Sequence, residues 1–229
     1  MVTLLHYTRY LHIMAGFIGF FVAPVALAVR KGGPAHRRWG RVFFWAMVVA
    51  GSTAILNASV KGMTFLLLTG IFSLYLAVFG YRSLYHKPLA QGLARPALLD
   101  WLMVGGGLLI FGGTALYGLA AGVVPASVFG TIGLLNAGRQ LAAFLRRGPW
   151  PAGQWLLNHV SGFVGAYIAA VSAFSATSLT FIPWPWNFLW PTLVLVPPLV
   201  WMQWRYKARF RQGQSLADLM EVRIQPDMA

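Results

Sequence analysis

The chain has 229 residues, of which 58% are hydrophobic and only 10% are charged, and its formal net charge is +14. A soluble domain of this size needs more charged surface, so the composition excludes an ordinary soluble protein and predicts a membrane protein. Its cations lie between apolar segments, where they act as topological anchors, and nucleic acid is not predicted as a partner. Cysteine is absent, which excludes disulfides, iron–sulfur clusters and thiolate chemistry.

Apolar runs of roughly the length of a bilayer-crossing helix predict an all-α, polytopic bundle of seven transmembrane helices. In chain order the predicted spans are 10–29, 42–60, 63–81, 97–121, 124–145, 155–180 and 187–204. The transmembrane domain is predicted to cover residues 1–206, followed by a cytoplasmic tail at 207–229. Ser215 and Asp218 resemble a capping box, so we predict a short amphipathic helix within that tail.

Charge is distributed unevenly between the two sets of connections. Sixteen of the eighteen Lys and Arg residues lie in alternate connections and in the tail, whereas Arg9 and Lys61 lie on the other side. The positive-inside rule therefore predicts an amino terminus outside the membrane and a carboxyl terminus in the cytoplasm.

Polar side chains within the spans are costly to bury in lipid, so they are candidate functional residues. Asp100 opens the fourth predicted span, and Arg139 lies about 22 Å along the fifth, which places both near the cytoplasmic interface. We predict an ion pair between them that fixes helix register. The alternative is a functional polar cluster of Asp100, Asn136, Arg139 and Asn158 that handles protons or binds an anion.

Histidines suggest a second kind of site. His36, at the start of the second span, and His159, one turn into the sixth, are predicted at similar depth, as the two axial ligands of a transmembrane haem b would be. His12 lies towards the other face, and His86 lies on the cytoplasmic side. Gly162 and Gly165, near His159, are expected to leave room for a flat macrocycle. Ordinary hydrogen-bonding roles for all four histidines remain the alternative.

Several other activities are excluded by missing motifs. The segment "KGGPAHRRWGR" (31–41) lacks the Lys-Ser/Thr ending of a phosphate-binding loop, and neither HExxH nor GxSxG occurs in the chain. The seventh span has no lysine before Lys207 that could form a retinal Schiff base, so a rhodopsin is excluded.

Two stretches carry a resemblance to a known family. The segments "LHIMAGFIGFFVAPVALAVRKGGPAHRRWGRVFFWAM" (11–47) and "NHVSGFVGAYIAAVSAF" (158–174) resemble an uncharacterised family of bacterial membrane proteins with a domain of unknown function. The matching positions are His12, Gly16, Pro24, Lys31, Gly32, His36, Gly40, Arg41, His159, Gly165, Tyr167, Ile168 and Phe174. This resemblance implies a multi-helix protein of the bacterial inner membrane and no established reaction.

Three functions remain open from the sequence. The most specific is a haem b-binding membrane redox protein. The second is a carrier or sensor of a small lipophilic or anionic molecule. A third is a non-catalytic subunit of a larger membrane complex. The predicted partners are membrane lipids, together with further copies of the chain or a larger membrane complex.

Overall fold

The computed structural model describes residues 2–213, apart from the side chains of Val2 and Leu4. Seven long helices account for most of this region. In chain order they are α1 (Val2–Ala28), α2 (Pro34–Val60), α3 (Thr64–Arg82), α4 (Leu98–Ala121), α5 (Val124–Leu145), α6 (Gln154–Ser178) and α7 (Trp186–Arg211). The amphipathic helix predicted around Ser215 lies outside the described residues.

Five of these helices are long and apolar enough to cross a membrane: α1, α2, α3 with its helical extension, α4 and α6. Helices α5 and α7 are not among them. Asn136, Arg139 and Gln140 lower the mean hydropathy of α5, and tryptophans and prolines do the same in α7. The predicted all-helical class and the seven helices are confirmed, and several helices exceed the predicted spans, because α1 begins at Val2, α2 at Pro34 and α7 continues to Arg211.

Short connections join most of the helices. Gly32, Gly62 and Gly122 have φ angles of 72°, 64° and 68°, in the left-handed region that glycine adopts without strain. The longer α3–α4 connection is partly helical, with a 3₁₀ turn at Ser83–His86 and a single α-turn at Lys87–Ala90. The amide of Trp150 donates to the Ala90 carbonyl at 2.9 Å and ties this connection to the segment before α6.

Neighbouring helices run antiparallel, as pairs of contacts at their two ends indicate. His12 of α1 contacts Ala50 of α2, and His36 of α2 contacts Ala26 of α1. In the same way, Ser73 and Gly80 of α3 meet Ala166 and His159 of α6. The buried apolar core combines residues of α1 to α6: Ala23, Phe43, Met47, Phe72, Leu76, Ala77, Phe111, Phe129, Ala166 and Ala169.

Helices α3 and α6 approach most closely at a pair of glycines. A Cβ atom placed on Gly162 would lie 2.5 Å from the Gly80 Cα, so neither position tolerates a side chain without movement of a helix. Gly165 also faces α3, because its Cβ would lie 3.1 Å from Leu76. The expectation that Gly162 and Gly165 leave room for a macrocycle is therefore wrong: they allow the helices to touch.

Candidate cofactor site at His36 and His159

The imidazoles of His36 and His159 lie next to each other near one end of the bundle. Their ring centroids are 6.4 Å apart, and the ring planes are inclined by 85°. Helix α2 places His36 in its first turn, directly after Pro34 begins the helix. Helix α6 places His159 in its second turn. The structure thus brings together two histidines that the sequence analysis places at similar depth.

Both rings are oriented by the same kind of hydrogen bond. The Nδ1 atom of His36 lies 2.9 Å from the Ala26 carbonyl oxygen, and Nδ1 of His159 lies 2.9 Å from the Gly80 carbonyl oxygen. A carbonyl only accepts, so Nδ1 carries the proton in each neutral ring and Nε2 keeps a lone pair. Neither Nε2 has a hydrogen bond to any residue within 2–213.

A cavity of about 580 Å³ is bordered by both imidazoles. We call it the His36 cavity. It lies between the end of α1, the start of α2, the end of α3, the start of α6 and the end of α7, and most of its lining is apolar. Pockets of about 300–1,000 Å³ with few polar groups are typical of small-molecule and cofactor sites.

Three cations line the same cavity: Lys31, Arg37 and Arg41. Gly40 faces the cavity as well, and the nearest atom to a Cβ added there would belong to the Phe163 ring, at 4.0 Å. The amine of Lys31 donates to the Leu27 carbonyl at the end of α1. Partial burial lowers the pKa of this amine from its ordinary value. An anionic group on a bound molecule would find complementary charge at this rim.

Among the described residues that line the His36 cavity there are two imidazoles and no Cys, Asp or Glu side chain. Within residues 2–213, no group of three His, Cys, Asp or Glu side chains is close enough to hold a metal ion. Structural zinc sites use four protein ligands and catalytic zinc sites use three. Two histidines would be sufficient for a metal that an organic macrocycle already binds, as iron is bound in haem.

Asp100 has a different partner from the one predicted. Its carboxylate accepts two hydrogen bonds from Arg82, with Nε–Oδ1 and Nη2–Oδ2 distances of 2.6 and 3.0 Å. It also accepts from His86 Nε2 at 2.9 Å and from the Ala97 amide at 2.8 Å. The predicted Asp100–Arg139 ion pair is therefore wrong. Asp100 instead joins the end of α3 to the start of α4.

The other members of the predicted polar cluster are separated from Asp100. The Arg139 side chain is exposed, and Asn136 is half-buried on the same helix, α5. Asn158 accepts a hydrogen bond at 2.7 Å from Gln154, one turn earlier on α6. Within residues 2–213, no hydrogen bond or ion pair joins Asn136, Arg139 or Asn158 to Asp100.

His86 is held apart from the His36 cavity. Its side chain is 1% exposed, and it packs against the rings of Phe144 and Trp150 at centroid distances of 5.5 and 5.8 Å. Its Nε2 is engaged by Asp100, and its buried Nδ1 has no partner in the described chain. The geometry assigns His86 to the ion cluster with Arg82 and Asp100.

His12 borders a second cavity of about 680 Å³ at the opposite end of α1 and α2. We call it the His12 cavity. The Nδ1 atom of His12 lies 2.9 Å from the Ala50 carbonyl oxygen, so this ring has the same orientation towards the backbone as His36 and His159. The His12 cavity contains no second histidine in its lining. His12 is therefore separated from the imidazole pair of His36 and His159.

The chain is thus a helical bundle with several candidate membrane-spanning helices and an imidazole pair beside an apolar cavity. No protein-family model, curated protein or solved structure matches it.

Sequence reasoning misses two features of the site. The charge pattern assigns Lys31, Arg37 and Arg41 only a topological role, yet they line the His36 cavity. It assigns the same role to Arg82, although this residue holds Asp100. The sequence does indicate that Arg82 could pair with Asp100, because Arg82 ends the third span and Asp100 opens the fourth.

Proposed function

We propose that this protein binds haem b in the His36 cavity, where His36 and His159 would hold the iron. The observation that carries the proposal is the pair of Nε2 atoms that have no hydrogen bond within residues 2–213, on adjacent rings that border one cavity. Their ring centroids are 6.4 Å apart, so both imidazoles would be able to contact one bound group.

The hydrogen bonds of the two rings support the same assignment. A histidine ligand normally donates its other ring N–H to a carbonyl or carboxylate, which fixes its tautomer and orientation. Ala26 and Gly80 supply those carbonyls. Lys31, Arg37 and Arg41 at the cavity wall are suited to the two propionate groups, and the apolar lining is suited to the macrocycle. When bound, haem b would supply one-electron redox chemistry.

The proposed setting is the bacterial inner membrane, with all seven helices crossing it and the His36 cavity near the cytoplasmic face. The concentration of cations at that end supports this orientation. A carrier or sensor built around Asp100, Asn136 and Arg139 has less support, because Arg82 and His86 already satisfy the Asp100 carboxylate.

The visible spectrum of protein purified from haem-replete cells tests the proposal. We expect the Soret and α bands of a low-spin haem with two axial histidines. His36→Ala and His159→Ala should each convert the spectrum to a high-spin form or remove it, and the double variant should lose the haem. His12→Ala is the matched control, because His12 has the same backbone hydrogen bond in the other cavity. A wild-type protein without a Soret band after incubation with haemin would contradict the proposal.

A variant that leaves both histidines in place separates ligation from folding. Gly40→Leu directs a side chain into the His36 cavity without a close backbone contact, so the protein should fold and fail to bind haem. Gly105→Leu is its control, since a Cβ at Gly105 meets nothing within 4 Å and this glycine does not line the cavity. Melting temperature in detergent would report folding, and the ratio of haem to protein would report binding.

Removing a cation from the cavity wall should lower the haem reduction potential. Arg41→Gln removes a positive charge that favours the reduced, less positive iron, so the midpoint should fall by tens of millivolts. Arg38→Gln is the matched control, because Arg38 lies on the same turn and does not line the cavity. Spectroelectrochemical titration measures the midpoint potentials of both variants and of the wild type. Equal midpoints for Arg41→Gln and wild type would place the propionates elsewhere.

A further inference from the structure

We propose that the His12 cavity binds an anionic amphiphile, a molecule with one carboxylate or phosphate head group and an apolar chain. This inference concerns a different cavity from the haem site and does not depend on it. The two cavities share no lining residue.

The first argument is charge. Arg9 and Lys61 are the two cations of the chain that lie away from its strongly basic end, and both border the His12 cavity. Within the described chain the single carboxylate side chain is Asp100, which Arg82 and His86 engage elsewhere. In the proposed topology, Arg9 and Lys61 lie at the outer side of the membrane, where the positive-inside rule disfavours cations. Because both border one cavity, they indicate recognition of an anion.

The second argument is shape and lining. Below the two cations the cavity is walled mainly by apolar groups, including Phe17, Phe20 and Phe174. Phe174 lies between the other two, with ring centroids 6.4 Å from Phe17 and 5.6 Å from Phe20. The volume of about 680 Å³ falls within the range of ligand sites. The apolar chain of an amphiphile would pack against these phenylalanines, while its head group would lie beside Arg9 and Lys61.

Polar groups extend the site inwards from the cations. Asn57 lies one helical turn before Lys61, and its Oδ1 accepts from Thr8 Oγ1 at 3.2 Å. Deeper in the cavity, His12 presents an Nε2 atom with no hydrogen bond to residues 2–213, because Nδ1 is directed at Ala50. The remaining hydroxyl of a singly protonated phosphate monoester could donate to this nitrogen, which favours an oxygen-bearing head group over an inert alkyl chain.

Binding can be measured on tag-captured protein in phosphatidylcholine nanodiscs, with radiolabelled dodecyl phosphate as the probe and empty nanodiscs as background. We expect saturable binding to the wild type, at least tenfold weaker binding to Arg9→Gln/Lys61→Gln, and none to Gly16→Leu. A Cβ at Gly16 meets nothing within 4 Å, so leucine there fills the cavity without disturbing helix packing. Arg95→Gln and Gly113→Leu, which are remote from the cavity, are the matched controls and should bind as wild type does.

Competition by unlabelled compounds identifies the chemistry that is recognised. Palmitate should displace the probe, whereas dodecanol, with the same chain and no charge, should do so poorly. Inorganic phosphate should not compete at equal concentration. Undiminished binding by Arg9→Gln/Lys61→Gln, or dodecanol as effective as dodecyl phosphate, would overturn the proposal. Competition by inorganic phosphate alone would overturn it in favour of a free-anion site.

Discussion

Replacing Asp100 with alanine is expected to lower the free energy of unfolding by about 3 kcal/mol, since it breaks a largely buried ion cluster. The carboxylate is 2% exposed and accepts from Arg82, His86 and the Ala97 amide. Its loss leaves a buried imidazole and an amide without an acceptor. We place the effect at the low end for a broken buried pair, because the Arg82 side chain is 23% exposed and can turn towards solvent.

Unfolding by denaturant titration in mixed micelles measures this change. Arg82→Gln should reproduce much of the loss, and a double-mutant cycle with Asp100→Ala should show strong coupling. Arg139→Gln provides the control, because an exposed side chain away from the cluster should change stability by less than about 0.5 kcal/mol. If Arg139→Gln were as harmful as Arg82→Gln, the observed pairing of Asp100 would be contradicted.

Gly162→Ala is expected to force α6 away from α3 and to disturb His159 as a consequence. The added methyl would meet Gly80 Cα at 2.5 Å and the Leu76 carbonyl oxygen at 2.7 Å, both backbone atoms that cannot rotate away. Overpacking of this kind costs about 1–3 kcal/mol. Because the Gly80 carbonyl also orients His159 Nδ1 at 2.9 Å, the same shift should lengthen that hydrogen bond.

Two measurements on Gly162→Ala separate stability from ligation. The melting temperature should fall, and the proposed haem should show partial conversion to high spin. Gly106→Ala, in a helix interior with no atom within 4 Å of the new methyl, is the control. It should be neutral or gain up to about 1 kcal/mol from the higher helix propensity of alanine. A Gly162→Ala protein as stable as Gly106→Ala would contradict the close approach of α3 and α6.

Much of the architecture follows from hydropathy and helix breakers. Seven apolar segments separated by glycine and proline turns predict the number of helices and their order. The common depth of His36 and His159 is also predictable, because each residue lies near the start of a helix on the same side of the bundle. Small residues on the predicted sixth span correctly indicate close packing, although Gly162 and Gly165 contact α3 and do not line the cavity beside His159.

The partner of Asp100 could not be predicted by the same reasoning. Hydropathy gives the depth of a residue along its helix, whereas an ion pair also depends on the direction in which the side chain points. Arg82 and His86 face Asp100 because the chain continues past α3 in a 3₁₀ turn, which swings His86 inwards. Arg139 has a suitable depth but lies on an exposed face of α5. The cavities likewise depend on contacts between helices distant in sequence.

The reciprocal hydrogen bonds between α1 and α2 have a mechanical consequence. Each helix contributes one histidine and one carbonyl. His12 of α1 donates to the Ala50 carbonyl of α2 near one end, and His36 of α2 donates to the Ala26 carbonyl of α1 near the other. A slide of one helix by a single turn, about 5.4 Å, would break both bonds together. The two hydrogen bonds therefore fix the register of α1 against α2 at both cavities. A ligand that shifted α1 along α2 in the His12 cavity would also strain the hydrogen bond between His36 and Ala26.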